Sequence, residues 1–215
     1  MSRPAIDTIT CKGCGGQQQF TSWESLNVTL DPERKRGLVN GDLTRFVCEK
    51  CGWSSEVAYP LLYHDMEKHL MIWLIPPGGD IPPTGFSLAR RMKDYNFRRV
   101  STRNELIEKV LIFDAGLDDR IVECFKLVIQ VQSATDGKPI PETLFFLHVT
   151  QAEPGEQLIA FEQPSLQGSQ CLELPLQSLI AVRDMLADKL PPPESEHSQW
   201  LQVDAAYAKS VLSNL

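Results

Sequence analysis

Two short phrases near the start of the chain carry the residues with the strongest chemistry, CKGCG at 11–15 and CEKCG at 48–52. They place Cys11, Cys14, Cys48 and Cys51 in the pattern C-x2-C-x33-C-x2-C, with Gly15 and Gly52 directly after the second cysteine of each pair. Two residues between cysteines let both thiolates face one ion from a tight turn, and two such turns supply a tetrahedral set of four sulfurs. A glycine just past each turn adopts positive φ without penalty, which lets backbone N–H groups point at sulfur. A redox C-x-x-C needs only one pair in a βαβ setting, and structural disulfides suit an exported chain. Two pairs in β-rich surroundings with no export signal fit neither. The expectation is a bound metal, Zn2+ first, with iron in the same four-thiolate set left open. Four thiolates close the coordination sphere, so the expected role of the ion is structural.

Other residues compete for chemical roles. RRMKDYNFRR at 90–99 interleaves Arg90, Arg91, Lys93, Arg98 and Arg99 with two aromatic rings, a pattern that could track a phosphate backbone and stack bases. A solvated loop or strand edge paired with acidic neighbours is the plainer reading. His64, Asp65 and His69 surround one expected hairpin; without a third ligand or a nucleophile at motif spacing, they read as a turn in which Asp65 satisfies backbone N–H groups. His148 lies in an apolar strand, where a hydrogen-bonded core or edge position is expected, and His197 reads as solvent-exposed. Cys124 and Cys171 read as small buried hydrophobes. The sequence contains no P-loop, dinucleotide fingerprint, nucleophile elbow or H-E-x-x-H motif. That lowers the expectation of an enzyme without deciding it.

These residues must be positioned by a mixed framework. Short runs rich in β-branched or aromatic residues, Ala5 to Thr10, Gln17 to Trp23, Leu43 to Val47, Ser54 to Tyr59 and Leu70 to Ile75, predict a small β module. Between the cysteine pairs, LDPERKRGLVNG predicts a short helix with Asp31 as N-cap, Pro32 in its first turn and Gly41 as its stop. PPGGDIPPTG at 76–85 predicts a loop. Thr102 and Glu105 form a capping box before NELIEKVLIF, with Gly116 as its stop, and a second, buried helix is expected from about Asp118. DGKPIPE at 136–142 reads as a connector. Beyond it come paired strands TLFFLHVT and QLIAFEQ, then CLEL, a helix from about Leu176 to Leu190 ended by PPP, and a last helix in VDAAYAKSVLSNL.

Strands and helices in separate runs define an α+β class. The expected division is a zinc-ribbon-like domain with a helical extension over 1–135 and a smaller acidic α+β module over 136–215.

The chain has 215 residues, 42% of them hydrophobic and 23% charged, and a net charge of −7, the composition of a globular protein with a real core. Residues 139–215 carry 3 Lys or Arg against 10 Asp or Glu, so the acidity lies in the last third. A surface of that sign repels polyphosphate, which disfavours nucleic-acid binding by the chain as a whole. No run approaches the length of a membrane helix, and the first residues lack the apolar core of a secretory signal. The expected compartment is the cytoplasm.

The paired cysteine turns, YPLLYHD at 59–65 leading into LMIWLIP, and NELIEKVLIFDAGLDDRIVE at 104–123 together resemble the CpXC protein family of bacteria and archaea, over about residues 6 to 130. The resemblance implies a zinc-ribbon-like domain and brings no established activity with it. The family's namesake proline is replaced here by Lys12 and Glu49, which bears on the rigidity of the turns and leaves the ligands intact. The combined expectation is a non-enzymatic metal-binding protein that docks on a protein partner. Its alternative is a nucleic-acid-binding ribbon that uses the basic stretch 90–99.

Overall fold

A computed structural model describes residues 1–165, 168–192 and 199–213, and within them the chain is a mixed α+β protein. It divides into two compact units, 1–107 with 199–200, and 108–192 with 201–213. The division falls inside a helix, and the connector expected at 136–142 lies within the second unit.

In the first unit, β1 (Arg3–Thr10) and β2 (Gln17–Asn27) form an antiparallel hairpin whose six-residue connection holds the first cysteine pair. Helix α1 (Pro32–Asn40) follows as expected, with Pro32 in its first turn. Its stop is Gly41, whose φ of 85° is the left-handed conformation glycine adopts freely. Asp31 occupies the N-cap position but does not cap the helix; its carboxylate accepts from the Ser2 N–H at 2.6 Å instead. Strands β3 (Arg45–Val47) and β4 (Ser54–Glu56) form a second hairpin around the second cysteine pair.

β5 (Leu61–Asp65) and β6 (Leu70–Leu74) make the hairpin read from YHDMEK, and β7 (Asn96–Val100) joins β6 in parallel. With the two-residue β11 (Trp200–Leu201) they complete a six-stranded sheet in the order β1-β2-β5-β6-β7-β11. The eleven-residue β2 serves both parts of this unit, pairing with β1 near the cysteines and with β5 at Ser25–Asn27. Leu26, Leu61, Tyr63, Ile72 and Phe97 fill the interior at essentially zero exposure. Each such side chain is worth about 1.5–3 kcal/mol of transfer free energy.

The expected loop at 76–85 is a loop only in its first part. Helix α2 (Pro83–Arg91) begins within it, since proline is tolerated in a first helical turn. Gly85 is helical because of its neighbours: a Cβ there would lie 2.6 Å from the Trp73 ring and 2.7 Å from Ile81. Its carbonyl accepts from the Trp200 indole N–H at 3.0 Å, and the Trp200 ring packs edge-on against Trp73 and Phe97.

Helix α3 (Arg103–Asp114) starts with the expected capping box, Glu105 N–H donating to Thr102 Oγ1 at 3.2 Å and Ser101 N–H to Glu105 Oε2 at 2.8 Å. In the second unit, α4 (Asp119–Thr135) is capped by Asp118, which accepts from Arg120 N–H at 2.9 Å. A three-stranded antiparallel sheet in the order β10-β9-β8 is built from β8 (Phe145–Glu153), β9 (Glu156–Gln163) and β10 (Gln170–Pro175). Helices α5 (Leu176–Leu186) and α6 (Ala205–Leu212) complete the unit. α5 stops at Leu186, four residues before the expected end. Val122, Phe125, Phe146, Ile159, Phe161 and Leu186 form the core.

The apolar helix expected at α4 also carries buried charge, which its hydrophobic pattern conceals. Lys109 Nζ stands 3.1 Å from Glu123 and 3.4 Å from Asp119, while Lys126 Nζ stands 2.9 Å from Glu108 and 2.8 Å from Glu123. The Glu108 carboxylate also accepts from the Phe146 N–H at 2.7 Å. Among the described residues no helix is long and apolar enough to cross a membrane.

Candidate metal centre

The two cysteine turns are built alike. In the first, Cys11 N–H donates to Gly16 O and Gly15 N–H to Cys11 O, each at 2.8 Å. In the second, Cys48 N–H donates to Trp53 O and Gly52 N–H to Cys48 O, again at 2.8 Å. Gly15 and Gly52 take φ values of 71° and 73°, so both glycines stand where the sequence needs them. Lys12 and Glu49 do not disturb this pattern, and the closure of each turn rests on its backbone bonds.

Because each turn closes a two-stranded hairpin, the two hairpin tips present their thiols to one another. The Sγ atoms of Cys11 and Cys51 are 3.6 Å apart, those of Cys14 and Cys48 are 3.7 Å apart, and all four lie within 4.8 Å of one another. Four sulfurs around one ion at metal–sulfur distances of about 2.3 Å stand about 3.8 Å from each other. A disulfide needs about 2.05 Å, and all six cysteines are free thiols. The donor set therefore fits a tetrahedral ion.

Cys11 and Cys48 are buried, and Cys14 and Cys51 are exposed. Gly13 N–H donates to Cys11 Sγ at 3.3 Å. Without metal, the Cys51 N–H bonded to Cys48 leads the effects that bring the Cys48 thiol down to about 7. The Trp53 N–H pulls the Cys51 thiol down, but desolvation and the other three sulfurs outweigh it and push it up to about 12. One thiolate among four sulfurs thus suppresses the next, a repulsion that a cation relieves.

A small apolar cluster supports the sulfurs. Cys11, Phe46 and Cys48 are buried together, with Ile9, Phe20, Trp53 and Val57 packed against them. Phe46 lies edge-on to Phe20 and tilted against Trp53, at centroid distances of 6.4 and 6.3 Å. The Tyr59 hydroxyl, pushed up to about 12 by burial, stays neutral and donates to Leu43 O at 2.7 Å. Gly13 lies under Trp53, where a Cβ would approach the Trp53 Cβ to 2.9 Å.

Gln18 escapes sequence reasoning, because a glutamine in a strand reads as an ordinary surface residue. Its Nε2 donates to Val47 O at 3.1 Å, and its Oε1 accepts from Glu49 N–H at 2.9 Å. One amide from the first hairpin thus clamps the backbone on both sides of Cys48. We expect Gln18→Ala to speed metal release to a chelator, with affinity falling about 10- to 100-fold, as for other outer-sphere partners.

The basic stretch does not form one surface. Arg90 and Arg91 end α2 and are exposed with Lys93, but Arg98 is only 3% exposed, and its Nη1 donates to Phe97 O at 3.1 Å. Arg99 is partly buried against the 79–80 loop, donating to Gly79 O at 3.1 Å. Tyr95 and Phe97, the rings that would stack bases, are both buried.

Asp65 Oδ1 accepts from Glu67 and Lys68 N–H at 3.1 Å each, the turn role expected of it. His69 takes a φ of 47°, stacks on Tyr95 and lies 3.4 Å from Asp94. Burial lowers the pKa of His64, whose Nε2 is 3.4 Å from the Tyr95 hydroxyl. His148 is exposed on the edge strand β8, and His197 lies outside the described residues. Cys124 is buried as expected; Cys171 is exposed, because its side of β10 lies away from the core.

Fold and site together define a mixed α+β protein with paired cysteine turns set to hold a metal ion. Comparison with protein families matches residues 9–126 to the CpXC protein, and the chain belongs to that family. No curated protein and no solved structure matches it. The match contains both cysteine turns, α3 and the first part of α4, and leaves β8 to α6 outside.

Proposed function

We propose that Cys11, Cys14, Cys48 and Cys51 hold one structural Zn2+ and that the protein is a non-enzymatic adaptor docking on a protein partner in the cytoplasm. The convergence of two equivalent turns on a tetrahedral sulfur set carries this reading. Four protein sulfurs leave no position for a catalytic water, so the ion's contribution is to fix the two hairpins against each other. Iron would fit the same sulfurs and is distinguished by its visible absorbance.

Exposed apolar side chains on the ribbon support docking there. Ile6 on β1 and Val47 on β3 are 70% and 44% exposed, and β1 is an edge strand of its sheet. An edge strand with apolar side chains is a ready surface for another chain. Affinity capture from native extract is expected to recover one stoichiometric protein with the wild-type chain and to lose it with Ile6→Asp. Capture of no stoichiometric protein by the wild-type chain contradicts the docking reading. The nucleic-acid alternative now rests on Arg90, Arg91 and Lys93; single-stranded RNA or DNA that binds at low salt and is released steeply by added salt would favour it.

A further inference from the structure

A second polar site lies in the first unit, in a cavity of about 280 Å³ at the open end of the β3–β4 hairpin. Its walls include Thr44, Arg45, Ser54, Ser55, Glu56 and Arg103. Arg103 is held there by backbone carbonyls, with no carboxylate paired to it among the described residues. Its Nη2 donates to Leu38 O and Val39 O at 3.0 Å each, carbonyls of the last turn of α1. The Arg103 Nε–H is buried and has no hydrogen-bond partner among the described residues.

The space for this guanidinium comes from Gly41. A Cβ at Gly41 would lie 3.1 Å from Arg103 Nη2 and 3.4 Å from its Cζ. The glycine that ends α1 therefore also seats the arginine. Two of the five guanidinium N–H groups are used on backbone carbonyls, leaving donors over for the cavity.

We propose that this cavity binds a phosphate-type oxyanion, the terminal phosphoryl group of a small molecule. Arginine with unspent donors matches the geometry of phosphate oxygens, and Ser54, on the same strand face as Arg45 and Glu56, adds a neutral hydroxyl. Arg45 brings a second positive charge. Glu56, its register partner across the hairpin, cancels one of the two, so the site has a net charge of +1. The volume is just below the roughly 300 Å³ at which ligand clefts begin, a size for a phosphomonoester and not for a polymer threading through.

The test is calorimetric titration of the full-length, metal-loaded chain with inorganic phosphate, glycerol phosphate, dimethyl phosphate and sulfate. Phosphate and glycerol phosphate should bind saturably at one site, at least tenfold more tightly than dimethyl phosphate or sulfate. Arg45→Ala and Ser54→Ala lie on the exposed face of the hairpin, opposite the face that carries Phe46, and touch no helix cap. Each should weaken phosphate at least fivefold while leaving the melting temperature of the ligand-free protein unchanged. Heats of dilution alone, equal affinity for all four anions, or variants that bind phosphate as the wild type does would each overturn the proposal. Tighter binding of glycerol phosphate than of free phosphate would place the ligand's source in an organic phosphomonoester; the reverse order would place it in the free ion.

Discussion

Cys48→Ser is expected to abolish stoichiometric metal binding and to unfold the two cysteine hairpins, while the second unit keeps its helical signal. Cys48 is buried, donates its N–H to Trp53 O, and packs with Cys11 and Phe46 at the centre of the cluster. Without the ion, little else joins the hairpin tips. The Gln18 clamp contributes two neutral hydrogen bonds, worth about 1 kcal/mol each, and the aromatic cluster is small. A structural zinc supplies about 10–16 kcal/mol of apparent binding free energy in comparable small folds, so under the proposed reading its loss outweighs every other contact there. Amide hydrogen exchange should show 9–20 and 44–57 exchanging rapidly in Cys48→Ser, with α4 and β9 still protected. Full metal content and unchanged exchange in the variant would remove Cys48 from the ligand set.

The second large effect lies in the other unit. Lys109→Met should destabilise the fold by about 3–5 kcal/mol, because it takes the cation out of a buried ion cluster and leaves carboxylates behind. Lys109 and Asp119 have side-chain exposures of 3% and 0%, so water cannot replace the ammonium. Burial lowers the Lys109 pKa, but Asp119, Glu123 and Glu108 outweigh it and hold it above its ordinary 10.5. A group whose folded pKa is raised stabilises the fold below its unfolded pKa and loses that contribution as pH rises through the folded value. Lys109 therefore contributes fully at neutral pH and fails only in alkali.

Burial leads the effects that raise the Glu108 pKa, which gives a slope of the same sign in a lower pH window: its charging costs stability as pH rises above 4.5. In Lys109→Met Glu108 loses a cation that holds its pKa down, so its pKa rises further. The stability gap to wild type should narrow as pH falls from 7 toward 4 in denaturant titrations. A gap independent of pH would mean that the loss is one of packing and not of charge.

The sequence makes the cysteine cluster legible because its determinants are local. A C-x-x-C-G turn fixes its own backbone through bonds spanning four or five residues, so spacing and a glycine suffice to specify it. The capping box at Thr102 and Glu105 and the stop at Gly41 are legible for the same reason. What was hidden depends on partners far along the chain. Gly85 and its prolines signal a loop by composition, yet Trp73 and Trp200 make a helix with a glycine in it the better packing. Tyr95 and Phe97 alternate with Asn96 and Arg98 like a surface strand, yet β7 lies between β6 and β11 and both Phe97 and the adjacent Arg98 are buried. Lys109, Asp119 and Glu123 look like ordinary helix charges until α3 and α4 are brought together. Gln18 gains its role only when a second hairpin, some 30 residues later, brings Val47 and Glu49 to its amide.

The most direct test of the metal centre is elemental analysis joined to X-ray absorption at the metal edge, on protein purified without added metal or chelator. The expected result is one zinc per chain bound by four sulfurs at about 2.3 Å. A well-folded chain that carries no metal and joins its four cysteines in two disulfides would contradict the account.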